Sequence, residues 1–242
     1  MTEAWLQEAV KACRLPSCMP LSDLLKKIGM VLPISLVAMP RLTCGMARDW
    51  LDSKGRAHGG LPRTGRRLHG CMVAHAGRGI LFYDGQDEAP QQRFTLMHEV
   101  AHFVLDHHLP RAHALRALGQ DILPVLNGEH APAPHQSLFL TLKRIPSGVQ
   151  VRFIERTASG DPCTGKAMEA ELRADLLAFE LLAPALEALP LVRGCSWQDA
   201  EARLAWRFGL PVKEARAYVR LLLAREPERR PFFLKFTPTE ER

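Results

Sequence analysis

The sequence predicts an α+β fold: a mostly helical domain with a small antiparallel sheet beside one long buried helix, and a C-terminal pair of helices in helix-turn-helix-like spacing. Residues 90–107 carry the first observation, because Phe94, Leu96, Met97, Ala101, Val104 and Leu105 cover much of a helical circumference, as a buried helix requires. The second is a pair of short apolar stretches, residues 68–74 and 80–83, around the turn Gly77-Arg78-Gly79, which read as strands leading into that helix. The third is a second strongly apolar helical segment, residues 167–182, that stops before Pro184.

In chain order, residues 3–14 and 22–28 read as N-terminal helices, the second with Ser22 as N-cap and Gly29 just past its end. Residues 53–83 contain no acidic side chain, while Lys54, Arg56, Arg63, Arg66, Arg67 and Arg78 gather among glycines and Pro62. The first part of that stretch, to about Arg67, is expected to be a loop. Residues 124–134 are loop-like. Leu138, Leu140 and Leu142 then alternate before Pro146-Ser147-Gly148, and Val149, Val151 and Phe153 alternate after it, so residues 137–154 predict a hairpin. Lying in sequence between the two long apolar helices, that hairpin is expected near whatever cleft they form. Residues 157–166 form a polar connection. Two further helices, 197–208 and 212–225, are separated by Gly209-Leu210-Pro211. The expected organisation is a main domain over residues 1–190 and a helical tail with a short end over 191–242.

The composition sets bounds on function. With 242 residues, 47% hydrophobic and 24% charged, the chain has material for a generous core and is no disordered, collagen-like or coiled-coil sequence. Its net charge of +6 favours weak attraction to acidic partners without making it a nucleic-acid binder. The longest apolar run, residues 30–40, is broken by Pro33 and too short to span a bilayer, and Glu3 and Glu8 stand where a signal peptide needs cations and an apolar middle. The six cysteines, Cys13, Cys18, Cys44, Cys71, Cys163 and Cys195, form no C-x-x-C pair, as expected of reduced thiols in a cytoplasmic protein.

The chemistry concentrates in His98-Glu99-Val100-Ala101-His102. Side chains four apart stand one turn up the same helical face, so two imidazoles can grip one metal ion while the intervening carboxylate stays beside it. Imidazole pairs suit zinc, and a catalytic zinc takes a third protein ligand and keeps one position open. The apolar helix at 167–182 offers that ligand: Glu171 and Asp175 are again four apart, so Glu171 can complete the triad while Asp175 accepts the outer N–H of a ligand histidine. Glu169 competes with Glu171, but at about 100° per residue it lies roughly 200° round the helix, so only one of them can face the metal.

These two blocks resemble a known family. Arg93-Phe94-Thr95-Leu96-Met97-His98-Glu99-Val100-Ala101-His102 resembles the R-F-T-L-A-H-E-L-G-H block of the ImmA/IrrE-type zinc metallopeptidases. The segment from Glu171 to Pro184 is similar to their later E-x-E-A-N-x-F-A-x-E-L-L-M-P block. The resemblance implies a zincin-like fold, zinc ligands at His98, His102 and Glu171, and a catalytic glutamate at Glu99. Asp175 stands in place of the family's Asn, Arg173 in place of its second Glu, Ala101 in place of Gly and Ala183 in place of Met; none of these changes removes a ligand.

What the resemblance implies is an intracellular zinc endopeptidase with one zinc per chain. Its expected substrate is a specific protein, a helix-turn-helix DNA-binding repressor cleaved in a stress or mobile-element response. Tyr83, His107, His108 and Arg93 are the candidates for the oxyanion-side donor. The competing classes are a transcriptional regulator and an antitoxin-like, partner-binding module, each with a structural metal site; Glu99 argues against both, since a structural site needs no general base. Weak or no nucleic-acid binding is expected, because Val219, Leu221, Leu222 and Leu223 give the last helix the pattern of one packed on a core.

Overall fold

The computed structural model describes residues 3–17, 19–152 and 165–224. Its sheet has four strands, β1 (Ile34–Met39), β2 (Gly70–His75), β3 (Arg78–Asp84) and β4 (Gln150–Arg152), in the order β1-β3-β2-β4. The β2–β3 hairpin is antiparallel and turns at Ala76 and Gly77, both at positive φ, the geometry of a two-residue hairpin turn. The sheet is mixed rather than purely antiparallel: β1 pairs with β3 in parallel register, Ile34 opposite Gly79 and Met39 opposite Asp84. The apolar run at 30–40, too short for a bilayer, supplies this strand. No helix among the described residues is long and apolar enough to cross a membrane.

Both faces of the sheet are covered, which is why β2 reads as a nearly continuous apolar run. Met72, Ala74, Leu81 and Tyr83 belong to the main core, and Cys71, Val73 and Phe82 to a second core with Leu42, Ala47, Leu51 and Leu61. The second core is closed by α3 (Cys44–Ser53), whose first turn is capped by Thr43 accepting the Met46 N–H, and Trp50 meets Phe82 edge to face. The acid-free stretch before β2 finds acids elsewhere: Arg63 pairs with Asp49 and Asp52, and Arg67 with the buried Asp84.

In the main core lie α1 (Ala4–Cys13), α2 (Leu21–Val31), α4 (Ala89–His102) and α8 (Gly165–Leu182). Ser22 lies inside α2 rather than at its cap, which is Pro20, and Gly29 falls within the helix. The long helix expected at 90–107 changes pitch: α4 gives way to a π-helical turn, Phe103–His108, and then to α5 (Leu109–Leu118).

The expected hairpin at 137–154 does not form. Pro134 occupies the first turn of a helix, α7 (Pro134–Leu142), and Gln136 Oε1 reaches back to the Ala133 N–H at 2.9 Å. Of the alternating leucines only Leu140 is buried, in a third core with Ala114 of α5 and Ile122, Val125 and Leu126; Val125 and Leu126 come from the short α6 (Leu123–Leu126). Period-two spacing over five residues also fits a short helix with one inward side chain, and the proline start decides between them. The second half of the pattern is a strand, but it pairs with β2, Val73 opposite Val151. Phe153 and residues 157–164 of the polar connection lie outside the described residues, and residues 165 and 166 begin α8.

Behind α8 the chain continues through α9 (Ala185–Val192), α10 (Trp197–Phe208) and α11 (Val212–Ala224) without a break in the apolar core. Ser196 caps α10 by accepting the Asp199 N–H, and Gly209 ends it at φ 62°. Phe179 of α8 stacks on Tyr218 of α11 at 4.4 Å between ring centres, and the Tyr218 hydroxyl donates to the Ala183 carbonyl at 2.8 Å. Arg93 of α4 donates to the Phe208 carbonyl at 2.9 Å, which ties the end of α10 to the start of the metal-motif helix.

Candidate metal centre

The candidate centre sits where α4 packs along α8. Ala101 on α4 and Ala174 and Ala178 on α8 are fully buried, and Phe94 lies 5.5 Å from Phe179. Side chains this short let two helices approach closely, and the approach brings His98, His102 and Glu171 together. One ligand atom from each lies within 4.8 Å of the other two. The His98 and His102 Nε2 atoms are 3.1 Å apart, and each is 3.2 Å from a Glu171 carboxylate oxygen. Glu169, the competing carboxylate, is exposed and lines a different cavity with Arg173.

Each imidazole is held from behind. His98 Nδ1 lies 2.9 Å from Asp175 Oδ1, and His102 Nδ1 lies 3.1 Å from Asp106 Oδ2. With Nδ1 donating to a carboxylate, both rings present Nε2 to the same point, the tautomer a metal ligand needs. Asp106 was not legible as part of the motif, although it follows His102 by the same four-residue step that relates His98 to His102. That step was a usable signal.

The electrostatics follow from the burial of this cluster. Burial pulls the His98 pKa down, but hydrogen bonds to Asp175 and Glu171 and the charges of Asp175 and Glu99 outweigh it and raise the value to about 10. Burial pushes Glu171 up, yet the two imidazoles hold it at about 2, as an ionised carboxylate. Glu99 is the opposite case: burial raises its pKa against the pull of His98 and His102. Its Oε2 is enclosed and has no hydrogen-bond partner among the described residues.

Two oriented imidazole nitrogens and one ionised carboxylate, with an unpartnered buried carboxylate oxygen beside them, fit a divalent zinc ion with an open position. A cleft of about 440 Å³ opens onto His98 and Glu99, with walls that include His69, Gly70 and Thr95 on one side and Pro211, Lys213 and Glu214 on the other. Among the described residues neither α7 nor β4 lines it, so neither described half of the expected hairpin covers the site.

Tyr83, Arg93, His107 and His108 do not line the cleft either. Tyr83 is buried in the main core, Arg93 is bonded to Phe208, His107 accepts the Gly77 N–H through Nε2 at 3.1 Å, and His108 stacks on Phe103. The sequence missed instead that α11 forms part of the cleft wall, since nothing in one helix's periodicity says which site its first turn borders.

No curated protein and no solved structure matches the chain. Glu171 and α8 lie beyond the span of the family match, which covers β2, β3, α4, the π-helical turn and α5, up to Ile122. Over residues 58–122 the chain matches the family model Peptidase_M78, the IrrE N-terminal-like domain, and the resemblance to the ImmA/IrrE metallopeptidases is borne out on that span.

Proposed function

We propose that the protein is a zinc-dependent endopeptidase with one zinc per chain held by His98, His102 and Glu171, and with Glu99 as general base. The observation that carries this reading is Glu99 Oε2, buried beside the two imidazoles without a hydrogen-bond partner among the described residues. A structural metal site has no use for such a group, whereas a hydrolase needs an acceptor beside the attacking water.

Zinc bound there supplies a Lewis acid that polarises a carbonyl and acidifies water to a pKa of about 7. The protein's own part is proton handling. Glu99, its pKa raised by burial, takes a proton from the attacking water as oxygen adds to the scissile carbonyl carbon. The same carboxyl then delivers that proton to the amine nitrogen as the C–N bond breaks, and Glu99 returns to its ionised form. Asp175 keeps His98 oriented throughout, and the cleft holds the peptide against β2 and α11.

The proposed substrate is one protein, a helix-turn-helix repressor, cleaved in the cytoplasm in a stress or mobile-element response. A transcriptional regulator is the weaker reading: Arg216, the most obvious phosphate contact on α11, is committed to Glu201 through hydrogen bonds of 2.8 and 3.2 Å. The test is incubation of the zinc-loaded protein with a candidate helix-turn-helix repressor, against Glu99→Gln. Cleavage by the wild type and none by the variant is expected, the amide having the same volume and no proton affinity. Equal cleavage by both proteins would contradict the mechanism.

A further inference from the structure

The two histidines of the centre are held by carboxylates in different surroundings. Asp175, behind His98, has a side chain 38% exposed and no Lys or Arg ion-paired to it among the described residues. Asp106, behind His102, is 19% exposed, and its Oδ2 has two partners: His102 Nδ1 at 3.1 Å and Arg152 Nε, also at 3.1 Å. Asp106 comes from the π-helical turn that follows α4, and Arg152 from the last position of β4, set by its register opposite Met72 of β2. A π turn in place of an α turn, the wider form of helix, is a local departure often found at functional sites.

We infer that Asp106 is the positioning residue for His102 and that Arg152 sets the strength of that hold, keeping zinc affinity below what the ligands alone would reach. The inference rests on the zinc reading above and adds a control that lies outside the ligand set. A carboxylate accepting the N–H of a ligand imidazole fixes the tautomer and makes the other nitrogen a better donor, an effect that commonly changes metal affinity by about 10–100-fold. A guanidinium on the same oxygen withdraws part of that negative charge. It also places a full positive charge one residue behind the ligand, where it opposes a second cation. Arg152 is half exposed and sits on an edge strand, so nothing in the packing of the core requires a cation there.

The two residues therefore act with opposite sign, a signature that a merely structural role does not produce. The experiment is zinc affinity by competition with a chromophoric chelator, on the full chain, with circular dichroism of each metal-free variant as the folding control. Asp106→Asn is expected to weaken zinc binding by about 10–100-fold and Asp106→Glu to restore part of it. Arg152→Gln is expected to tighten binding several-fold, and to lose most of that effect in the Asp106→Asn background. Unchanged affinity in a folded Asp106→Asn, or weaker binding in Arg152→Gln, overturns the inference while leaving the zinc reading intact. Should Asp106→Asn fail to fold, the sign of the Arg152→Gln effect decides. A wild-type chain that binds no zinc overturns both.

Discussion

Gly70 lies directly against Glu99: a Cβ built on Gly70 would stand 3.0 Å from Glu99 Cγ and 3.2 Å from its Oε1. The first residue of β2 thus forms the floor on which the buried carboxylate rests, and the same Cβ would come 2.5 Å from Thr95 Cγ2, one turn earlier on α4. The glycine is required by this approach, not by its dihedral angles.

Gly70→Ala is therefore expected to push β2 and α4 apart or rotate Glu99 away from the histidines. Overpacking of this kind costs about 1–3 kcal/mol. Urea denaturation gives the stability change and chelator competition the zinc affinity. The expected outcome is a destabilised protein that still binds zinc and cleaves poorly; a variant with unchanged stability and activity would show that the contact is slack.

Tyr218 tests the attachment of the C-terminal helices. Its ring lies nearly parallel to Phe179, with 10° between planes, and its hydroxyl reaches the Ala183 carbonyl at the end of α8. Tyr218→Phe should cost about 0.5–1.5 kcal/mol for the hydrogen bond. Tyr218→Ala should cost about 3 kcal/mol or more through the cavity beside Phe179, and should lower cleavage because α11 walls the cleft. A single cooperative unfolding transition, shifted as a whole, is expected in both.

His107 gives a pH dependence. Its buried ring accepts the Gly77 N–H, with Gln150 beside it, while burial and the nearby Arg111, His108 and His75 push its pKa down to about 4. The unfolded chain takes up that proton near the ordinary value of about 6.5. The neutral ring therefore contributes stability in full above about pH 6.5, and the contribution is lost as pH falls towards 4. Urea midpoints from pH 7.5 to 4.5 should drop for the wild type, and drop less for His107→Gln, whose amide oxygen can still accept from Gly77. Parallel curves would remove His107 from the acid response.

Long-range and short-range information divided cleanly in this sequence. The β2–β3 hairpin, the metal-motif helix, α8, α10 and α11 were legible because each declares itself within one window of periodicity, capping and turn residues; α9 was not read from the sequence. That only one of Glu169 and Glu171 can face the metal was legible for the same reason, being a matter of angle on one helix; the preference for Glu171 came from its four-residue step to Asp175 and from the family resemblance. What stayed hidden depends on partners far away in the chain. The parallel strand at 34–39 has no sequence signal beyond apolarity, since its partner is β3, some forty residues later. The three alternating leucines at 138–142 fit strand and short helix alike until Pro134 and Gln136 are given their weight. Asp106 was missed although its four-residue step from His102 stood in the sequence, and Arg152 stayed hidden because only the β2–β4 register brings it there.

The central claim is a zinc site completed by a carboxylate from α8, outside the span that matches the family model. Metal analysis of the purified wild type and of Glu171→Ala, dialysed side by side against a weak chelator, tests it most directly. The expected result is one zinc per wild-type chain and its loss, or an affinity lower by orders of magnitude, in a folded Glu171→Ala. Equal zinc content and affinity in the two proteins would contradict the account.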